Sequence, residues 1–324
     1  MYSSEQLLLM VNEAIATLPL EREPRGLYEP IRYFLSLGGK RIRPVLMLMA
    51  YNLYRVDVRP CLMPAVGLEI FHNSTLLHDD LIDRAEVRRG KTCVHHKWND
   101  STAILCGDNM VALAFRYMMQ CDEGKVPAAM QILSRTAIEI YEGQQYDTDF
   151  ETRSDVTEAE YIEMVRLKTS VLLACALQTG AMLADAPDSD ARALYRFGER
   201  LGLAFQLQDD YLDVYGDPAV FGKKIGGDIL CDKKTFMLIN ALRNAADGDR
   251  AELEKWIGNK SCEPEEKVRA VTTLYTKIGV DRMAQERIDA YFAEAEACLS
   301  KVSLPEERKQ MLRSFANRLM GRRS

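Results

Sequence analysis

A chain of 324 residues with 47% hydrophobic content can build one large core. Its net charge of -6 and pI near 5.5 count against a nucleic-acid binder, which is more often basic. Eight cysteines are scattered without a Cys-x-x-Cys pair, which reads as reduced thiols in a cytoplasmic protein and not as a disulfide frame or a zinc site.

The opening MYSSEQLLLMVNEA has no early positive charge, and Asn12 and Glu13 interrupt its apolar run, so no signal peptide is expected. No apolar run approaches the roughly 18 residues of a membrane span. Pro24, Gly26 and Pro30 are expected in one loop, and Gly38 and Gly39 in another. Between them and Pro64, the run from Val45 to Tyr51 suits a buried helix, with Met47 and Met49 in the core. The proline-free stretches from Pro64 to Pro127 and from Pro127 to Pro187 favour long helices. Thr157 with Glu160 forms the pattern of a capping box, and Ile162, Val165, Leu172 and Leu173 recur at helical spacing. Strand signals are poor, and Asp247-Gly248-Asp249 reads as a loop. A single all-α domain over residues 1–324 follows, packed as a bundle of about ten or more helices.

Two segments carry chemistry. In LLHDDLID, Asp79 and Asp83 are four apart and share a helix face, with Asp80 beside them and Leu76, Leu77, Leu81 and Ile82 flanking. Two carboxylates about 6 Å apart repel by roughly 3 kcal/mol at an effective dielectric near 20, so a counter-charge is expected. Magnesium, held by one or two carboxylates plus phosphate oxygens, is the commonest case. A solvated acidic face is the alternative reading. Arg88 and Arg89 follow, either as diphosphate ligands or as salt-bridge partners of the aspartates. FQLQDDYLD repeats the spacing at Asp209, Asp210 and Asp213, 130 positions after the first cluster and again in apolar surroundings. His95-His96 lacks a third ligand nearby, and His78 is expected to make a structural hydrogen bond.

With both clusters in view, the chain resembles the trans-type prenyl diphosphate synthases, the family of farnesyl, geranylgeranyl and longer polyprenyl synthases. The likeness runs from about residue 25 to 240. GGKRIRP looks like the isopentenyl diphosphate site, with Lys40 and Arg43 binding phosphate and His72 another ligand of that substrate. Asp79, Asp83, Asp147 (in GQQYD) and Asp209 then correspond to metal ligands or near neighbours of the metals, with Asp80, Asp210 and Asp213 in support. Arg88 matches an allylic diphosphate ligand and Arg89 an isopentenyl diphosphate ligand. Lys168, Thr169 and Gln206 match the residues that stabilise charge during the reaction, and Lys233 with either Lys223 or Lys224 matches the lysine segment; Lys223 is favoured because it follows Phe221-Gly222.

The resemblance implies an isoprenoid-synthase-type bundle around a central cavity, three Mg2+ ions with bound diphosphate, and a homodimer. It implies condensation of isopentenyl diphosphate with an allylic diphosphate. Ser74 and Thr75 are small where many farnesyl synthases carry aromatics. Phe71, eight residues before Asp79, lies about 12 Å along the helix and could form a deeper floor. The expected product therefore has twenty to twenty-five carbons, with a farnesyl or longer polyprenyl product as the alternative; Phe71 facing the core is the competing reading. A terpene cyclase is disfavoured by the second aspartate cluster and by GGKRIRP. A noncatalytic synthase subunit is disfavoured because both acidic motifs are intact.

Overall fold

The computed structural model describes residues 1–217, 225–259 and 261–321. Lys223, Lys224, Phe221, Gly222 and the basic Arg322 and Arg323 lie outside the described residues. The fold is all-α, and the described residues fall into two compact units.

The first unit comprises Met1–Thr136, Cys175–Tyr195 and Val302–Leu312. Its opening helices are α1 (Ser4–Ala16), α2 (Arg25–Ser36), α3 (Ile42–Asn52) and α4 (Arg59–Ile82). Ser3 and Gln6 close a reciprocal capping box at the start of α1. The expected loop over Pro24, Gly26 and Pro30 is instead the start of α2, with Pro24 as its N-cap. Pro30 forfeits the bond to the Gly26 carbonyl, at a cost of about 3 kcal/mol. Tyr28, Ile31, Phe34 and Leu35 line one buried face, and each such side chain contributes about 1.5–3 kcal/mol on burial, which offsets that loss. Gly38 and Gly39 do form a loop, with positive φ values of 79° and 141°. The apolar run of α3 is buried from Pro44 to Asn52, as expected.

Pro64 also fails to mark a boundary: α4 runs through it, and residues 64–71 are buried without a break. A helix enclosed on all sides gains enough from packing to carry one missing hydrogen bond. Helix α4 packs on α6 (Asp100–Met118), which follows the short α5 (Val94–Lys97). A Cβ at Gly107 of α6 would stand 2.0 Å from His78 Nε2, so this glycine admits the imidazole. His78 Nε2 lies 3.3 Å from the Ile104 carbonyl, the structural hydrogen bond expected of it.

Between α4 and α5 is a hairpin that the sequence pattern did not announce. Val87–Arg88 pairs antiparallel with Lys91–Thr92. Arg89 and Gly90 both have positive φ, 51° and 75°, the signature of the tight turn that matches strand twist. An arginine occupies the place where asparagine or aspartate usually announces such a turn.

The second unit comprises the described residues of Ala137–Ala174, Arg196–Lys301 and Arg313–Ser324. It contains the later part of α7 (Val126–Thr152), α8 (Glu158–Val165), the start of α9 (Val171–Leu183) and the later part of α10 (Asp188–Tyr215). The capping box of Thr157 and Glu160 opens α8. Residues Asp247–Trp256, expected to begin as a loop, form a helix from the first aspartate. Asp247 and Asp249 sit in its first turn, where the helix dipole favours negative charge. No described helix is long and apolar enough to cross a membrane.

Candidate active site

The first acidic cluster closes α4. Asp80 is buried, and Arg88 grips it with Nε at 2.8 and 2.7 Å from the two carboxylate oxygens and Nη2 at 2.7 Å. The salt-bridge reading of Arg88 is thus realised within the protein. Asp79 is half-buried and Asp83 exposed, one turn apart, with Asp83 as the C-cap residue. The middle aspartate is held by a protein cation while the outer two stand at the helix end.

Beside this end lies a basic group. Arg43 Nη1 is 3.0 Å from His72 Nε2. Arginine can only donate, so His72 Nε2 accepts. Burial, and then the charges of Arg43 and Arg89, hold the His72 pKa well below the ordinary value, so the ring is neutral. Burial pushes the Arg43 pKa down to about 10. Arg89 donates to the Gly38 carbonyl, so the hairpin turn reaches the glycine loop. Lys40 is exposed. The neighbouring Arg41, to which the sequence gave no role, is buried: it pairs with Glu69 at 2.8 Å and donates to the Leu35 carbonyl at 3.0 Å. Of the basic residues in GGKRIRP, one therefore fastens α3 to α4.

Phe71 is fully buried and Ser74 is 1% exposed. Ser74 Oγ donates to the Phe71 carbonyl at 2.7 Å and Thr75 Oγ1 to the His72 carbonyl at 2.8 Å, so both hydroxyls are satisfied by their own helix.

In the second unit Asp210 repeats the pattern of Asp80. It is buried, with Tyr161 donating to Oδ2 and Gln206 Nε2 to Oδ1 at 3.0 Å. Burial, and then the charge of Asp228, push its pKa to about 7 against these hydrogen bonds. Because Gln206 spends its amide nitrogen on Asp210, its carbonyl oxygen faces Thr169, whose hydroxyl is 3.4 Å away. Asp213 accepts from the Asp228 backbone N–H at 2.9 Å and so caps the short helix Gly227–Leu230, which leads to Lys233. Asp209 is half-buried.

Lys168 Nζ is 2.6 Å from Asp147 Oδ2, and Lys233 Nζ is 4.0 Å from the same oxygen. Burial raises the Asp147 pKa, but the two lysines outweigh it and hold the carboxyl below its usual value. Lys168 and Thr169 sit on a five-residue π-helical segment, Arg166–Ser170, between α8 and α9. Such wide turns recur at functional sites because they turn side chains off the regular helical face. Two glycines make room for it. A Cβ at Gly143 would be 2.4 Å from Lys168 N, and one at Gly202 would be 2.6 Å from Ser170 Cα. Sequence reasoning missed Tyr161, Arg41 and Gly202. Gly143 was visible as the first residue of GQQYD.

Among the described residues no three His, Cys, Asp or Glu side chains form a metal-ligating group. Magnesium commonly takes one or two carboxylates and completes its shell with waters and substrate phosphates. Asp79 with Asp83, and Asp209 separately, offer the one or two carboxylates that such an ion takes.

An all-helical chain with two such aspartate clusters and separate sets of arginines and lysines is built to handle diphosphates. The chain belongs to the polyprenyl synthetase family of prenyltransferases, whose family model matches residues 24–274. It is 43% identical to the geranylgeranyl diphosphate synthase of Methanosarcina mazei over 72% of each chain. It is 36% identical to the geranylfarnesyl diphosphate synthase of Natronomonas pharaonis over 97% of this chain and 95% of that one. A crystal structure of a geranylgeranyl pyrophosphate synthase superposes with a TM-score of 0.93 at 41% identity, covering all of both chains.

Proposed function

We propose that this chain condenses isopentenyl diphosphate with an allylic diphosphate to a trans-prenyl diphosphate of twenty to twenty-five carbons. The observation that carries the reading is the repeated aspartate arrangement, in which Asp80 and Asp210 are fixed by protein donors beside the more accessible Asp79, Asp83 and Asp209. Relatives named for geranylgeranyl and geranylfarnesyl products support the length.

Asp79, Asp83, Asp147 and Asp209 would hold magnesium, three ions in the full complement, which would neutralise the charge that builds on a departing diphosphate. Arg88, Lys168 and Lys233, with Lys223, add fixed positive charge for the same group. Lys40, Arg43, His72 and Arg89 bind isopentenyl diphosphate. When the allylic C–O bond breaks, its electron pair leaves with the diphosphate, and the double bond of isopentenyl diphosphate attacks the allylic carbon. The Thr169 hydroxyl and the Gln206 carbonyl dipole stabilise the cation. Gln206 is suited to this because Asp210 fixes its orientation. The departed diphosphate takes the proton lost in the last step. Holding both substrates together replaces a bimolecular encounter with a near-unimolecular step. The whole chain acts as one functional domain, as a cytoplasmic homodimer.

Phe71 serves as the floor for the growing chain. Phe71→Ala should lengthen the products sized after incubation with labelled isopentenyl diphosphate and a five-, ten- or fifteen-carbon primer. An unchanged distribution from folded, active Phe71→Ala protein removes Phe71 from this role.

A further inference from the structure

The first unit holds a cavity of about 650 Å³ that none of the residues assigned above touches. It lies among α1, the segment that follows it, and the ends of α4 and α6. Leu18, Leu62, Met63 and Leu113 give it apolar walls, and Arg22, Arg59 and Arg116 line it from exposed positions. The volume is in the range of small-molecule sites, which combine apolar walls with a few placed polar groups.

The position of the cavity on α4 separates it from the acidic cluster. Met63 is 16 residues before Asp79, about 24 Å along the axis at 1.5 Å per residue. Rotation separates them as well. At about 100° per residue, Arg59, Leu62 and Met63 share one face, and Phe71, Thr75 and Asp79 share a face roughly 170° away. A chain growing along the Asp79 face would meet Phe71 and would not enter this cavity.

The charges lining the cavity are of one dominant sign. Arg59 is paired with Asp57 at 2.7 Å. Arg22 lies over the Tyr28 ring, 4.7 Å from its centroid. Glu13 is the one carboxylate among the lining residues, against three guanidiniums. Guanidinium groups match the geometry of phosphate oxygens. An apolar cavity rimmed by arginines suits an amphiphile with an apolar tail and a multiply charged anionic head.

We infer that this cavity is a second, noncatalytic binding site for a prenyl diphosphate, the class of molecule that the chain makes. The choice of ligand rests on the proposed function; the cavity and its charges do not. The head lies against Arg22 and Arg116 and the tail between α1 and the Leu62–Met63 face of α4. Because the arginines supply the counter-charge, this binding needs no magnesium.

The test is equilibrium dialysis of the full chain against labelled geranylgeranyl diphosphate in EDTA. Wild type should bind one equivalent per chain. Each guanidinium hydrogen-bonded to a phosphate is worth about 1.5–3 kcal/mol, or tenfold or more in affinity. Arg22→Glu/Arg116→Glu should therefore weaken binding by roughly a hundredfold or more, on the same scale. Met63→Trp, which intrudes on the apolar wall and leaves the arginines in place, should also weaken it. Both variants should keep the wild-type elongation rate. Geranylgeraniol, which lacks the head, and inorganic diphosphate, which lacks the tail, should each bind at least about tenfold more weakly. No binding in EDTA, or binding unchanged in both folded variants, overturns the site. Equal binding of a fatty acid of similar length overturns the assignment to a prenyl diphosphate. Failure of elongation with every primer sinks the proposed function instead, and the dialysis reads independently of turnover.

Discussion

Replacing Gly143 with alanine sets two physical effects against each other. Gly143 lies within α7, and alanine there should stabilise an ordinary helix by about 1 kcal/mol through propensity alone. The structure predicts the opposite sign. The new Cβ would stand 2.4 Å from Lys168 N and 2.8 Å from the Leu167 carbonyl carbon, where ordinary contact begins at 3.4 Å. Both are backbone atoms, so α7 and the π segment would have to part by about 1 Å. Overpacking of this kind costs about 1–3 kcal/mol, leaving a net loss of up to about 2 kcal/mol after the propensity gain. Catalysis should suffer more than stability. Asp147, one turn beyond Gly143, meets Lys168 at 2.6 Å, and a displacement of about 1 Å at a reacting group can cost about a hundredfold in rate. Urea unfolding and steady-state kinetics of Gly143→Ala, with both diphosphates varied, separate the effects. A folded variant with lower kcat supports the close approach. A variant more stable by about 1 kcal/mol with unchanged kcat would refute it.

Arg41→Ala should cost about 3–5 kcal/mol in urea unfolding, because Glu69 would be left buried without the guanidinium that pairs with it; a loss below about 1 kcal/mol would mean that the pair is solvated. The neutral His72 gives stability a pH dependence with a definite sign. Its folded pKa lies below the ordinary 6.5, so as pH falls through 6.5 the unfolded chain binds a proton that the folded chain does not. Its contribution is therefore complete above that pH and is lost toward the lower folded value, at up to about 1.4 kcal/mol per pH unit. His72→Gln should flatten the wild-type stability curve between pH 6.5 and 5, and parallel curves would contradict a neutral buried ring.

The helical class was legible because long proline-free stretches carry apolar residues at three and four. The acidic clusters were legible because three aspartates in five positions, flanked by leucines, are costly without a charged partner. The structure adds what periodicity does not encode. Pro30 and Pro64 read as breaks, yet burial of their helices outweighs one lost hydrogen bond. The π segment has no composition of its own: RLKTS continues the helical pattern on both sides, and its evidence lies in Gly143 and Gly202, distant in sequence. Arg88 and Arg89 are adjacent in the chain and lead to different places, because Arg89 takes the left-handed turn position while Arg88 remains in the strand. Tyr161 gave no signal since a tyrosine at helical spacing reads as core, which it also is.

The most direct test of the central claim is incorporation of radiolabelled isopentenyl diphosphate into dephosphorylated products, sized by chromatography, with five-, ten- and fifteen-carbon allylic primers. It should be run with magnesium, with EDTA, and with Asp79→Ala and Asp209→Ala protein. The account predicts a magnesium-dependent series ending at twenty or twenty-five carbons, lost in EDTA and in both variants. Absence of elongation from every primer by folded wild-type protein would contradict it.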